Sequence, residues 1–306
     1  MTSSTSPKGL PTADTRVSAG GYAYMLLLAV IWGLSIPITK LGLETMPPVL
    51  LTAMRFGVAV PPLLLMTLGK QRMPLKALVQ AAALGIVGIG IGQLGQNLGV
   101  ARTTASVATI VSATIPLLTV VFAALRFGQP VSLRQKMGLL AAFLGIALLA
   151  LGGGDDASSP ANSSLAGVAI LLVSAGAIAF YYVWSVDLTR TYGSVPVVAW
   201  STLFGFLSLV PFASLEVAGT QLSPGLTPVL AAAYLGLLVT VAGLFMWIRI
   251  LSTVPAPVAA SIQYLQPVVG VAASAWMFGD RLDAGFAPGV ARVLTGCALG
   301  GPPARK

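Results

Sequence analysis

The sequence predicts an all-α polytopic membrane protein with ten transmembrane helices, arranged as two inverted five-helix repeats. Three observations carry that expectation. Of the 306 residues, 56% are hydrophobic and only 8% are charged, whereas a soluble domain uses roughly 25% charged residues to dress its exterior. The apolar residues fall into ten runs, each near the length of about 20 residues that a bilayer crossing needs. The later runs also echo the earlier ones at a nearly constant offset.

Residues 1–20, "MTSSTSPKGLPTADTRVSAG", are polar and lack a signal peptide's order of charge, short apolar core and small-residue cleavage site, so they read as a flexible cytoplasmic tail. The first repeat, 21–151, holds runs at 21–41, 47–68, 76–99, 104–126 and 132–151. "GGGDDASSPANSS" then breaks the apolar pattern, making 152–163 an external linker. The second repeat, 164–301, holds runs at 164–186, 195–215, 228–251, 255–278 and 284–301, and 302–306 form a short cytoplasmic tail.

The repeat shows in matched positions. Gly85 and Gly236, Ala105 and Ala256, Pro116 and Pro267, Gly128 and Gly279, Gly138 and Gly289, and Gly145 and Gly296 are each 151 residues apart. Pro48 and Pro196, and Phe56-Gly57 and Phe204-Gly205, match at 148. A copy with an odd number of spans forces the next copy to cross the membrane upside down. Inverted repeats of this kind place a binding site near the midplane, where the repeats meet.

Charge placement supplies an orientation, because Lys and Arg near span ends favour the cytoplasm. With the N-terminus inside, twelve of the 17 basic residues fall in cytoplasmic segments and three, Lys40, Arg102 and Arg281, outside. Arg55 and Arg292 fall within spans. Both termini are therefore expected in the cytoplasm.

Proline interrupts several spans. It removes the hydrogen bond to the carbonyl four residues earlier, so Pro37, Pro116 and Pro267 free the carbonyls of Gly33, Ser112 and Gln263. Irregular backbone at membrane depth is tolerated where protein buries it or a watery cavity meets it. The pair at 116 and 267 suggests two symmetric kinks beside one central cavity; bending for packing alone is the other reading.

Composition also excludes functions. The net charge of +9 is scattered between apolar runs and not gathered on one solvated face, so no nucleic-acid partner is expected. One cysteine, Cys297, leaves no intramolecular disulfide, and the absence of histidine argues against zinc. No cofactor or metal is expected. A Ser/His or Cys/His catalytic set is impossible and no carboxylate pair sits in a span, which argues against an intramembrane enzyme.

Several motifs resemble the EamA-type transporters of the drug/metabolite transporter superfamily. "AVIWGLSIPITK" resembles that family's first-span pattern and "LTAMRFGVAV" its second-span Arg-Phe. "IPLLTVVFAALRFGQPVSLRQKMGLLAAFLGIALL" and "QPVVGVAASAWMFGDRLDAGFAPGVARVLTGCAL" resemble its repeated block of Pro, Gly-Glu, Gly and Gly. The resemblance spans residues 21–301 and implies a ten-helix inverted-repeat carrier in an inner membrane that exports metabolites. It is nearest the YddG-type exporters of aromatic and other amino acids. Its partners would be a small-molecule substrate and membrane lipid. Three positions depart from the pattern: Gln129 and the shorter Asp280 stand where Glu follows Phe-Gly, and Arg292 stands where an apolar residue is usual.

Candidate site residues follow from polar groups within the spans. In "GIVGIGIGQLGQNLG" the helical spacing of Gly85, Gly88, Gly92, Gln96 and Gly99 makes a face on which another helix approaches closely and points Gln96 inward. Gln93 and Asn97 serve equally well as interhelical glue. The 151-residue offset sets Gln96 opposite Trp247 and Ser112 opposite Gln263 as cavity-wall pairs, with Trp32, Ser35, Tyr181 and Tyr264 as further wall; packing or interfacial anchoring is the plainer reading of the aromatics. Arg55 either pairs with Glu44 or attracts a substrate carboxylate. No Asp, Glu or His lies at the midplane, so alternating access without a carboxylate proton relay is expected. Export of amphipathic drugs or other metabolites is the alternative substrate reading.

Overall fold

The computed structural model describes residues 19–128, 130–151, 164–219, 225–253 and 262–280, with positions 291 and 295. The leader before residue 19, the linker 152–163, Gln129, the tenth run at 284–301 apart from positions 291 and 295, Arg292 with it, and the tail 302–306 lie outside the described residues. So do the side chains of Gln263 and Tyr264.

The described residues are helical, with no strand among them. The first run is two helices, α1 (Ala19–Gly33) and α2 (Ser35–Leu43), and the second is α3 (Pro48–Leu65). The third is α4 (Leu75–Gly85), a π-helical segment (Ile86–Gln93) and α5 (Leu94–Ala101); the fourth is α6 (Ala105–Ser112) and α7 (Ile115–Phe127). Then come α8 (Leu133–Leu151), α9 (Leu165–Trp184), α10 (Val186–Tyr192) and α11 (Ser194–Gly219). The eighth run is α12 (Leu226–Ala233), a second π-helical segment (Tyr234–Ala242) and α13 (Gly243–Thr253), and the ninth is α14 (Ile262–Phe278). Among the described residues seven of these rods are long and apolar enough to cross a membrane: Gly20–Leu43, Pro48–Leu65, Leu75–Ala101, Ala105–Phe127, Leu165–Trp184, Ser194–Gly219 and Leu226–Ile250.

The prolines act differently from one another. Pro37 bends the first rod at Leu34, where Leu34 N–H still reaches the Val30 carbonyl and Ile38 N–H the Leu34 carbonyl, each at 3.0 Å. The Gly33 carbonyl faces Gly270 of α14, where an added Cβ would lie 2.9 Å from that oxygen. This bend therefore serves close packing of two backbones. Pro116 interrupts the fourth rod: the chain leaves α6 through a turn at Ala113 and Thr114, and Pro116 enters the first turn of α7, where a missing N–H costs nothing. Pro267 instead lies buried within the uninterrupted α14. The expected symmetric pair of kinks is thus not symmetric. Nearer the ends the halves do agree: Gly128 and Gly279 both end their helices in the left-handed region, at φ 64° and 65°, where a Cβ would be strained.

Helix ends are pinned by charge of the appropriate sign. The α3 amide at Leu50 donates to Glu216 Oε2 at 2.8 Å, and the α6 amide at Ser106 donates to Asp280 Oδ2 at 2.9 Å. Carboxylates suit the positive N-terminal end of a helix. At the opposite end of the third rod, Lys40 Nζ donates to the carbonyls of Val100 at 2.9 Å and Thr103 at 2.7 Å. Asp280, a departure from the resembled pattern, thus works as a cap.

Glycines set the packing of the third rod. Added Cβ atoms at Gly88, Gly92, Gly95 and Gly99 would meet Tyr181, Ile178, Ser174 and Leu171 of α9. The partner numbers descend as the glycine numbers rise, so the rods run antiparallel. Gly95, and not Gln96, continues this face: the spacings of four, three and four residues are those of an α-helical stripe, and Gln96 turns instead to Ser112. Gly85 lies against the Ser201 backbone of α11, and Gly205 of α11 lies against Ile89 and the Gly85 carbonyl. Across the bundle, Gly236 lies against the Arg55 backbone and Gly243 against the Trp32 indole. α1 packs on α13 and α14, while α9 packs on α5 and α7; α3 meets α11, and each also meets the other half's π-helical segment.

Gly85→Ala drives a methyl into the Ser201 backbone, which no side-chain rotation relieves. Overpacking of this kind costs about 1–3 kcal/mol, so folded, monodisperse yield in detergent should fall several-fold. Gly176→Ala, with nothing within 4 Å of its added Cβ, should leave yield unchanged. Equal yields for the two variants would show that the α4–α11 contact is loose.

Candidate functional site

Arg55 stands near the middle of α3 and is 8% exposed. A charge at the centre of a membrane helix costs about 2.5–3.5 kcal/mol on insertion scales, so its partners matter. Glu44 is not among them. Arg55 Nη1 donates to Gln93 Oε1 at 3.0 Å, and Nε and Nη2 both approach Thr240 Oγ1 at 3.4 Å. The Thr240 hydroxyl donates its own proton to the Leu235 carbonyl, five residues earlier, at 2.9 Å, leaving its lone pairs for the guanidinium. Because a guanidinium only donates, it also fixes the Gln93 carbonyl oxygen towards itself. The Arg55 guanidinium lies 5.0 Å from the Phe56 ring centroid.

Gln93 ends the first π-helical segment and Thr240 lies in the second. Arg55 therefore ties together the two described π-helical segments, one in each half of the chain. π-helical turns occur frequently at functional sites. Sequence periodicity gives no sign of either segment, since Gly, Ile, Leu and Val occupy every face there. The charge of Arg55 is evident in the sequence, but its neutral partners, 38 and 185 residues away, are not.

Trp32 and Trp247 come together, with ring centroids 5.7 Å apart at 47°. Trp32 Nε1 donates to the Val239 carbonyl at 3.0 Å, and the Tyr234 hydroxyl donates to the Ile31 carbonyl at 2.9 Å. The first rod is thus hydrogen-bonded twice to the second π-helical segment. Val239 adjoins Thr240, so the indole pair and the guanidinium hold neighbouring residues of one turn. Both indoles are half-buried and rest on Met25, Leu28, Ala29, Met246 and Ile250.

Gln96 and Ser112 also come together, Gln96 Nε2 donating to Ser112 Oγ at 3.3 Å, and both are half-buried. Asn97 serves as glue: its Nδ2 donates to Thr52 Oγ1 at 2.8 Å, fully buried. Ser35 Oγ is spent on the Trp32 carbonyl at 2.6 Å, within the first rod's own bend. Tyr181 departs from the cavity-wall expectation. It is buried among Met73, Ala77, Ala81 and Val197 with its ring root against Gly88.

Tyr182, the next residue, keeps 51% of its surface exposed and lies within electrostatic reach of the buried Arg55. Two adjacent tyrosines point about 100° apart on a helix, so packing buries one and leaves the other exposed.

The sequence pattern of the EamA-like transporter family matches twice, at residues 19–151 and 165–300. An uncharacterized transporter of Archaeoglobus fulgidus is 24% identical over 89% of this chain and 95% of its own length. In Escherichia coli K12, the uncharacterized inner membrane transporter YedA is 26% identical over 86% of this chain and 84% of its own. A probable amino-acid metabolite efflux pump of the same strain is 25% identical over 89% and 91%. One solved crystal structure shares the fold at a TM-score of 0.61 and 19% identity, covering 92% of this chain and 96% of that one. With both halves matched, apolar rods of membrane-crossing length and relatives named as transporters, this multi-pass membrane protein belongs to the EamA-like transporter family.

Proposed function

We propose that the protein exports amino acids, aromatic and hydrophobic ones included, by alternating access between two inverted five-helix halves. One observation carries the reading: each half contributes a π-helical segment to a single polar cluster, Gln93–Arg55–Thr240, at the middle of the bundle. The cross-packing supports it, since α1 lies on α13 and α14 as α9 lies on α5 and α7, a pattern that a pseudo-two-fold in the membrane plane produces. Such an arrangement holds substrate at the repeat interface while the halves rock. The amino-acid class is taken from the relative named as a probable amino-acid metabolite efflux pump, with the Trp32–Trp247 surface suited to flat side chains.

Among the described residues no Asp, Glu or His stands in the cleft to relay protons. The buried positive charge of Arg55 counts against amphipathic cations, which favours the amino-acid reading over broad drug efflux. The proposed location is the inner membrane with both termini in the cytoplasm, on the charge bias of the loops.

Counterflow of labelled phenylalanine and alanine in proteoliposomes tests the function. Exchange should proceed without a pH gradient, and a gradient should drive no accumulation; accumulation that collapses with the gradient would require a titrating relay. Trp247→Leu should slow phenylalanine roughly two- to tenfold more than alanine, the range that an aromatic contact supplies. Equal losses would remove Trp247 from the site.

Orientation has its own test. In a Cys297→Ala background, single cysteines replace Lys70 or Asp155 and intact cells meet an impermeant maleimide. Only the Asp155 position should react, and labelling at Lys70 alone would invert the topology.

A further inference from the structure

Arg55 carries a full positive charge that no described carboxylate neutralises. Glu216 accepts from the Leu50 amide, Asp280 from the Ser106 amide, and Asp187 pairs with Arg126. Glu44 is exposed at the end of α2. A guanidinium offers five N–H donors, and here three meet neutral oxygens, two of them sharing the Thr240 hydroxyl at 3.4 Å. The remaining N–H groups on Nη1 and Nη2 find no acceptor among the described residues. A buried charge is ordinarily paired, and paired Arg in a planar two-point contact selects carboxylate or phosphate.

The surroundings narrow the choice to a small carboxylate. Tyr182 brings solvent-accessible surface to within electrostatic reach of the guanidinium. The neighbouring Val239 carbonyl holds the Trp32 indole, which meets Trp247. Adjacent residues of one turn therefore hold a cation and an aromatic pair. The site is also asymmetric. At the 148-residue offset that relates the second spans, the position equivalent to Arg55 is Leu203, so the near-two-fold bundle has one anion-receiving side.

We propose that Arg55 receives the carboxylate of the transported solute in the cleft between the two π-helical segments, with Gln93 and Thr240 orienting the guanidinium and Trp32 and Trp247 taking the solute's side chain. This rests on the transport reading above and adds which chemical group the protein recognises and where.

The experiment uses the full-length protein in proteoliposomes, with labelled phenylalanine in counterflow and three competitors: 3-phenylpropanoate, phenylalanine amide and phenethylamine. The carboxylate should compete comparably to phenylalanine, and the amide and amine at least about tenfold more weakly, the loss expected when a charge-assisted contact is removed. Arg55→Lys and Arg55→Gln should raise the phenylalanine concentration needed for half-maximal exchange about tenfold or more and abolish the preference for acid over amide. A merely structural arginine would lower exchange of all solutes alike and leave that preference intact. Amide or amine competing as well as the acid in the wild type overturns the proposal, even if neither variant folds. Thermal unfolding of purified protein separates the two readings. If no amino acid is exchanged but 3-phenylpropanoate raises the midpoint of the wild type and not of Arg55→Gln, the amino-acid reading fails and the carboxylate site stands. No exchange together with no stabilisation by the carboxylate overturns the site as well.

Discussion

In a bilayer's hydrocarbon no water is at hand to satisfy an unpaired backbone group, so every departure from the α-helix must be answered by protein or by an internal cleft. Among the described residues several departures are answered in this way. Leu34 keeps its helical bonds on both sides of the bend while the Gly33 carbonyl turns to a glycine on α14. The two π-helical segments lie against the opposite half of the chain, where the Thr240 hydroxyl takes the Leu235 carbonyl and the Trp32 indole takes that of Val239. Both π-helical segments therefore lie where the halves of the chain meet.

The same constraint explains why small residues carry so much of the packing. Between helices in lipid the hydrophobic effect offers little, and association relies on close contact and interhelical hydrogen bonds. Gly88, Gly92, Gly95 and Gly99 let α9 approach until the Ser174 hydroxyl reaches the Gly92 carbonyl at 2.7 Å. Gly85 and Gly205 let the third rod and α11 touch backbone to backbone. Charged residues meanwhile act at helix ends, as with Lys40, Glu216 and Asp280, where water and the helix dipole share the cost of charge.

Much of this was legible in the sequence, and the reasons differ by element. The rods were, because a run of about 20 apolar residues has almost no other stable use. The break after Ser112 was, because proline removes a specific hydrogen bond, yet Pro267 shows that the same residue at the matched position is absorbed within a continuous helix. The π-helical segments were not. Their fingerprint is a shift of face, and a stretch such as "IVGIGIG" is apolar on every face, so no shift is visible. The glycine stripe was read one residue off, through Gln96, where the contact runs through Gly95. In the candidate site, the pairings Gln96–Ser112 and Trp32–Trp247 fell among residues singled out by type and depth. Tyr182 did not, since choosing between adjacent tyrosines requires knowing which helix lies behind them.

The position of Arg55 links the fold to function most directly. Under the proposed alternating access, a group held by both halves of the chain would sense their relative motion. Arg55 is held in this way: Gln93 belongs to the third rod and Thr240 to the eighth, and both contacts are neutral, one of them long. Weak, neutral partners keep the guanidinium oriented while leaving its charge unneutralised, so a solute that supplies the missing charge gains what the protein withholds from itself. A carboxylate partner in place of Gln93 would hold the cation more firmly and leave it little to offer a substrate. The chain stabilises its central charge only in part, and on the proposed reading the unsatisfied remainder is what a solute's carboxylate would meet.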